Sequence, residues 1–239
     1  MRTSVVIPAH NESAYLASTL RAVDAARFAA PGEVEVVVVA NRCTDSTMDV
    51  AMAGGATVVT NSARNIAAVR NAGVASTTGE VVVTVDADCL MHPLTLGRVN
   101  DLLSSGDYVG GGVRVVPERL SLGIRATYTA MELAVRVSGL AGGLFWTLRN
   151  DFEAVGGFDE SQLVGEDLGF ARSLRRVGRA TGRKFTNLRD VPLTASCRKF
   201  DRYGDWHMFA MAKDLPQIYA AVKGTDTSWV DRYFFDFND

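Results

Sequence analysis

Cysteine is scarce in this chain of 239 residues: Cys43, Cys89 and Cys197 are the three present, and no two of them form a C-x-x-C pair. An odd count without that spacing argues against a disulfide framework or a structural zinc site, and it fits a reducing compartment. Long apolar runs are also missing. The longest weakly polar stretch, Leu120 to Leu148, is broken by Arg125, Glu132 and Arg136, so it falls short of the roughly 20 apolar residues a spanning helix needs. The opening MRTSVVIPAHNE holds an apolar run of about four residues, too short for a signal-peptide core. Neither sign of charge is in excess. Lys plus Arg total 25 and Asp plus Glu total 27, a formal net charge of −2, which argues against broad binding to nucleic acid or an acidic membrane surface. No G-x-G-x-x-G follows a strand-like run, which excludes an NAD-dependent oxidoreductase. These absences predict a cytoplasmic globular protein with no nucleic-acid partner and no transmembrane segment.

What is present is a strand–helix rhythm. Ser4–Ile7 is a β-branched run that stops at Pro8, and Ser13 is placed to cap a helix carrying Leu16, Leu20, Val23 and Ala26 on one face. Glu35–Ala40 contains four consecutive valines, as a strand buried on both faces requires. A helix from about Ser46, a strand at Thr57–Thr60, a helix capped by Ser62 and a strand at Glu80–Val85 follow. This alternation implies βαβ units and a mainly parallel, doubly wound sheet. After residue 90 the expected elements are a helix at Leu94–Leu103, a strand at Tyr108–Val116 whose Gly110–Gly112 allow close backbone approach, and a helix at Arg119–Gly139. A strand or turn at Phe145–Arg149 comes next. Then follow a helix at Asp167–Val177 with Leu168, Ala171, Leu174 and Val177 inward, and a last helix from about Asp205, interrupted by Pro216. With no repeat or linker, residues 1–239 read as a single α/β domain. Its sheet is Rossmann-like and flanked by helices, with a nucleotide-type half at 1–90 and a second half at 91–239 ending in a helical, aromatic tail.

In open α/β sheets ligands bind outside the carboxyl ends of the strands. Here those ends read Pro8-Ala9-His10-Asn11-Glu12, Asn41-Arg42-Cys43-Thr44-Asp45 and Asp86-Ala87-Asp88. In extended backbone residues i and i+2 share a side. Asp86 and Asp88 therefore leave a buried strand together, as a hard-oxygen site for Mg2+ or Mn2+ shared with substrate phosphates. The plainer alternative is a chance pair of surface aspartates. Glu166-Asp167, before a helix, reads either as ordinary helix-start acids or as a carboxylate general base.

Six segments occur in order: Ile7 to Glu12, Asn41 to Asp45, Arg70-Asn71-Ala72-Gly73, Asp86-Ala87-Asp88, Gly156-Gly157-Phe158-Asp159-Glu160 and Glu166-Asp167. Together they resemble family 2 glycosyltransferases, which have the GT-A fold, over about residues 3–180. Ser196-Cys197-Arg198-Lys199-Phe200 resembles the Ser-x-Arg-Arg segment of small bacterial members. The resemblance implies a metal-dependent transfer of a sugar from a nucleotide-diphosphate sugar, a UDP-sugar foremost, to an acceptor hydroxyl, with inversion. Pro8, Ala9, His10 and Glu12 would border the nucleotide, with Ala9 and Glu12 near base and ribose. Asn41 would face the base, Arg70 and Asn71 would lie below the nucleotide, and Asp86 with Ala87 would approach the ribose or a metal-bound water. Asp88 would ligate Mn2+ or Mg2+, joined by His207. Asp167 would be the base with Glu166 beside it, and Gly143 to Arg149, including Trp146 and Arg149, would line the acceptor side. The acceptor class stays open between glycan, lipid and small molecule.

Many members read Asp-Asp-Gly-Ser-Thr-Asp after the second strand, whereas this chain has Ala40 and Asn41 in the acidic positions. That departure keeps open a non-catalytic nucleotide-sugar binder. A nucleotidyltransferase is disfavoured because the first loop lacks glycine. No Q-x-x-R-W occurs, which disfavours processive polymer synthesis. His207 reads otherwise as a packed histidine, His10 as structural, and His92 as a cap of the next helix. Arg198, Lys199 and Arg202 read as a solvated basic face, with phosphate contact as the alternative. Trp229, Tyr233, Phe234, Phe235 and Phe237 are expected to dock on the core or on a second subunit, which would make a homodimer.

Overall fold

The computed structural model describes residues 1–139, 142–214 and 216–217. In chain order the elements are β1 (Thr3–Ala9), α1 (Ser13–Ala29), β2 (Val34–Asn41), α2 (Thr47–Ala53), β3 (Thr57–Asn61), α3 (Ile66–Ala75), β4 (Val81–Val85), β5 (Cys89–Leu90), α4 (Thr95–Ser104) and β6 (Tyr108–Pro117). Then come α5 (Leu122–Ser138), β7 (Leu144–Leu148), α6 (Arg149–Ala154), α7 (Glu166–Thr181), β8 (Lys184–Ala195), α8 (Arg198–Tyr203) and α9 (His207–Ala210), which passes into a 3-10 turn at Met211–Asp214. The sheet runs β3-β2-β1-β4-β7-β6-β8-β5. Its first four strands are parallel, as is the β6–β8 pair, while β7 and β5 run antiparallel to their neighbours.

Period-2 alternation divides the core between the two faces of this sheet. Val5, Ile7, Val81, Val83 and Trp146 meet Leu16, Leu20, Val23, Leu96 and Val99 of α1 and α4 on one face. Val6, Val82 and Phe145 meet Ala67, Val69 and Val74 of α3 and Phe170 and Leu174 of α7 on the other. Each such aliphatic or aromatic side chain contributes about 1.5–3 kcal/mol on burial. Phe145, Phe152, Phe158 and Phe170 pack together, with Phe158 and Phe170 stacked at 4.2 Å between centroids. This aromatic cluster seats α7 against β7.

Two glycines set approaches that matter later. A Cβ on Gly73 would lie 2.3 Å from Val6 Cγ1 and 2.7 Å from Val39 Cγ2, so α3 lies flat on β1 and β2 only because that residue has no side chain. A Cβ on Gly111 would lie 1.7 Å from the Thr186 carbonyl oxygen, which realises the close approach expected of the glycine run.

Some local expectations are corrected. α3 is capped by Asn65, whose side chain accepts from the N–H groups of Ala67 and Ala68, rather than by Ser62. Ser13 is the first residue of α1 and makes no side-chain cap. Leu168 is 38% exposed, and the buried face of α7 runs through Glu166, Phe170, Ala171, Leu174 and Gly178. His92 does cap the next turn, its ring nitrogen accepting the Leu94 N–H at 3.2 Å. β5, α6, β8 and α8 are elements that the sequence pattern does not announce. The aromatic residues from Trp229 onward lie outside the described residues.

Candidate functional site

At the carboxyl ends of β1, β2 and β4 opens a cavity of about 500 Å³, bordered on its other side by the start of α7 and by α8. Strand geometry supplies its floor. β1 delivers Pro8 and Ala9, and the backbone then turns through Asn11 at φ 49°. Asparagine tolerates that left-handed conformation better than most residues. The Asn11 Oδ1 atom accepts the Thr44 N–H at 2.8 Å, tying the loop after β1 to the loop after β2. His10 donates from Nδ1 to the Asn41 carbonyl at 2.7 Å, a second tie between the same loops.

Asn41 is buried, and its amide nitrogen donates to the carbonyl oxygens of Asn61 at 3.1 Å and Ala63 at 2.9 Å. A carboxylate could accept but not donate those bonds. The departure from aspartate at this position thus has a local cause: the amide secures the chain after β3.

Two arginines organise the acidic groups. Arg70, on the face of α3 turned to the sheet edge, is 6% exposed. It donates from Nη2 to Asp86 at 2.8 Å and from Nη1 to Glu166 at 2.7 Å, with its guanidinium carbon 5.2 Å from the Phe158 ring centroid. Arg198 opens α8 and makes a two-pronged bond to buried Glu12, at 2.7 and 2.6 Å. Its Nε lies 3.0 Å from Asp88 Oδ2, and its guanidinium covers Tyr15 at 5.1 Å. Such charge-assisted, fork-shaped pairs are both strong and directional. Between the two aspartates the Ala87 carbonyl accepts the buried Thr19 hydroxyl at 2.6 Å, which pins the turn to α1.

Burial pushes the Asp88 carboxyl above the ordinary aspartate value; Arg198 pulls it down and Asp86 pushes it up. Burial likewise raises Glu166 against the pull of Arg70. Burial alone would lower Arg70, but Asp86 and Glu166 outweigh it and hold the guanidinium charged. Lys199 lines the same cavity, and loss of hydration with Arg198 nearby lowers its ammonium to about 8. Asp167 follows Glu166 into α7 after Gly165, whose φ of 80° makes the entry turn. Its Oδ1 accepts the Leu168 N–H at 2.7 Å, and a Cβ on Gly142 would come within 2.7 Å of Oδ2. That glycine leaves the carboxylate its space.

The structure therefore brings Pro8, Ala9, His10, Glu12, Asn41, Arg70, Asp86, Ala87, Asp88, Glu166 and Asp167 to one cavity. Four of the expected site residues are placed elsewhere. Asn71 turns away from the cavity: its amide holds Phe158 through both backbone groups, at 2.8 and 2.9 Å, and reaches Glu160 at 2.9 Å. One step along a helix rotates a side chain by about 100°, so the neighbour of Arg70 faces another wall. Trp146 is 0% exposed and donates from its indole to the Gly112 carbonyl at 3.0 Å. It is a core residue rather than an acceptor platform. Arg149 follows β7 at the opposite end of the sheet, because β7 runs antiparallel to β4 and Leu148 pairs with Val81. His207 is 7% exposed, donates from Nδ1 to the Gly204 carbonyl at 3.0 Å and packs on the rings of Phe200 and Tyr203, outside the cavity lining. Of the basic cluster expected on a solvated face, with phosphate contact as the alternative, Arg198 and Lys199 line the cavity, while Arg202 is exposed.

Among the described residues no group of three His, Cys, Asp or Glu side chains could hold a metal by itself. Asp86 and Asp88 are a donor set of the kind that fits a hard divalent cation sharing its remaining positions with phosphate oxygens and water. One oxygen of each is engaged by an arginine, and the other Asp88 oxygen accepts the Cys89 thiol at 3.6 Å. The pair fits a shared site, not a protein-only cage.

Comparison with known proteins bears on the family and the fold. The model of the family described as glycosyl transferase family 2 matches residues 4–153. The fold is that of S. aureus TarS 1-349, solved in complex with UDP, at a TM-score of 0.64 and 18% identity over 86% of this chain and 63% of that one. A mannosyltransferase from Pyrobaculum calidifontis, solved with GDP-Man and Mn2+, matches at 0.63 and 22% identity over 80% of this chain and 56% of that one. Glucosyl-3-phosphoglycerate synthase from Mycobacterium tuberculosis, solved with Mn2+, UDP-glucose and phosphoglyceric acid, matches at 0.58 and 23% identity over 79% of this chain and 70% of that one. The chain thus spans less than two thirds of the TarS and mannosyltransferase chains. No curated protein matches. Because the family match extends over more than half of the sequence, from β1 into α6, the protein belongs to glycosyl transferase family 2, and its fold is the GT-A fold.

Proposed function

We propose that this chain transfers a sugar from a nucleotide-diphosphate donor, UDP foremost, to an acceptor hydroxyl, with inversion at the anomeric carbon. One observation carries the reading: the strand ends, the Asp86–Asp88 pair and Asp167 share a single cavity of about 500 Å³. Pro8, Ala9 and Asn41 offer a wall for base and ribose. Arg70, held by Asp86 and Glu166, keeps the acidic edge and the start of α7 in fixed relation. Asp86 and Asp88 would hold Mn2+ or Mg2+, which supplies Lewis-acid stabilisation of the diphosphate charge that develops as the glycosidic bond breaks. Asp167 accepts the proton of the acceptor hydroxyl as the oxygen attacks the sugar from the face opposite the departing diphosphate. Glu166 is committed to Arg70, so the second carboxylate of this pair positions rather than reacts.

The test begins with binding. UDP, GDP and TDP, each with Mn2+, are screened by thermal melting of the whole chain. A ligand at one hundred times its Kd stabilises the folded state by about 2.7 kcal/mol. One nucleotide should raise the melting temperature, and Asp88→Asn should remove the part of that rise that requires Mn2+. No shift with any of the three would dismiss the donor assignment.

A further inference from the structure

We propose that the outer face formed by α5 and α7 is a docking surface for an anionic lipid bilayer. This docking is independent of which nucleotide the cavity takes.

α5 leaves an apolar side to solvent. Its buried residues, Gly123, Ile124 and Thr127, all fall in its first half. Leu122, Ala126, Ala130, Leu133 and Val137 recur at steps of four, four, three and four, which traces one face of a helix. Leu133 is 62% exposed and Val137 83%. Single exposed apolar residues are ordinary, but a continuous stripe marks an interface. The stripe is extended at the first turn of α5. A Cβ on Gly123 would lie 2.5 Å from the Asp205 carbonyl oxygen, and the next residue, Trp206, is exposed, with its ring 5.7 Å from that of exposed Phe209.

Charge decides what covers this face. α7 carries Arg172, Arg175, Arg176 and Arg179 and no acidic residue after Asp167. Their spacing keeps them on one side of the helix. Arg175 donates from Nη1 to the Ser138 carbonyl at 2.5 Å, which sets that side against the last turn of α5, the turn that carries Val137. On α5 the single carboxylate, Glu132, is shared by Arg114, Arg136 and Arg189. The net charge of −2 belongs to the whole chain; on this face arginines outnumber carboxylates. Two copies of so basic a face repel each other. Anionic headgroups attract it, and the Leu, Val and Trp side chains enter the layer just beneath them. Exposed Leu168, one helical turn before Arg172, follows Asp167, so the docked side borders the cavity.

The experiment is co-sedimentation of the whole chain with two kinds of vesicle, phosphatidylcholine alone and phosphatidylcholine mixed in equal parts with phosphatidylglycerol. Binding to the mixed vesicles should be tighter by about tenfold or more, and the difference should shrink as salt is raised. Leu133→Glu combined with Val137→Glu should weaken binding to the mixed vesicles by about tenfold or more, and so should Arg172→Gln, Arg176→Gln and Arg179→Gln together. β1 carries the chain to the cavity edge and α1 returns it, so exposed Phe28 lies at the other edge of the sheet; Phe28→Glu should leave vesicle binding unchanged. Unchanged melting temperatures confirm that the variants fold. No binding to the mixed vesicles, equal binding to both kinds, or binding that neither the α5 nor the α7 variant weakens overturns the proposal. In the absence of vesicle binding, a dimer that Leu133→Glu with Val137→Glu dissolves gives the face to a second copy instead, and a lowered melting temperature of that variant gives it to another part of this chain.

Discussion

The two ends of the central sheet both tie down an arginine, Arg70 buried and Arg149 half-buried, and they do so with opposite chemistry. At the carboxyl end of β4, Arg70 donates to the carboxylates of Asp86 and Glu166, beside an open cavity. At the other end, Arg149 donates to the carbonyls of Gly79 and Val74 at 2.8 and 3.2 Å and to the Thr77 hydroxyl at 2.8 Å. Near Arg149, on α6, Asp151 takes both prongs of Arg183 at 2.7 Å. The far end is a closed set of structural ties. The cavity end gathers more carboxylates than the packing needs and leaves them beside space that a ligand can fill. An arginine fixed by several hydrogen bonds is thus no mark of a site by itself. The acceptors it holds, and what they border, decide between strut and chemistry.

The largest effect expected from this contrast falls on Asp167. Asp167→Asn should lower turnover of the identified donor by about 10²–10⁴-fold, the usual worth of a positioned general base, with melting temperature and nucleotide binding unchanged. Undiminished turnover would remove Asp167 from the chemistry. Next comes a direct comparison of the two arginines. Arg70→Met leaves Glu166 buried without its partner, which costs about 3–5 kcal/mol of stability, and it should also weaken nucleotide binding. Arg149→Met strands neutral acceptors instead, at about 1–3 kcal/mol, and should leave the Kd for nucleotide as it was. Denaturant melts and calorimetry on the two variants give both numbers. Equal loss of binding in both would dissolve the distinction between the ends.

Much of the cavity end was legible because local signals coincide there. Val5 to Ile7, Val37 to Val39 and Val81 to Val85 are β-branched runs buried on both faces, and each strand ends in polar residues at the same sheet edge. Asp86 and Asp88 follow from those positions, whereas Arg70 is given only by the family resemblance. The later half resisted because its determinants are long-range. β8 reads KFTNLRDVPLTA, with exposed Arg189 and Asp190 and with Pro192, and its burial has no clean period of two. Its pairing with β6 also carries register shifts. Without β8 there is no way to see that the sheet curls until β5 meets Ala195, which is what delivers Arg198 and Lys199 to Asp88. The misplacement of Asn71, Trp146 and Arg149 has a different source. A motif names neighbours in sequence, but a helix turns each successive residue to a new wall, and a reversed strand sends its last residue to the opposite end.

The smallest expected effect tests whether every carboxylate at the cavity end belongs to the site. Asp45, in the loop after β2, does not line the cavity; it accepts the N–H groups of Ser13 at 3.1 Å and Thr47 at 2.9 Å, and the Thr47 hydroxyl. Partial burial raises its carboxyl, but the hydrogen bonds from Ser13 and Thr47 outweigh this and hold it at about 2, below the ordinary 3.8. A pKa lowered on folding contributes stability that is present above the unfolded value and is lost as pH falls toward the folded one. The window is therefore from about pH 4 down to about pH 2. Asp45 is exposed, so solvent screening reduces the contribution to a fraction of a kcal/mol, about 1–2 °C in a chain of this size. Melting temperature should fall between pH 4 and pH 2 less steeply in Asp45→Asn than in the unmodified chain, while nucleotide binding at neutral pH stays the same. An unaltered slope would show that the latch contributes nothing. A lost Kd would move Asp45 from the structural side of the comparison to the functional one.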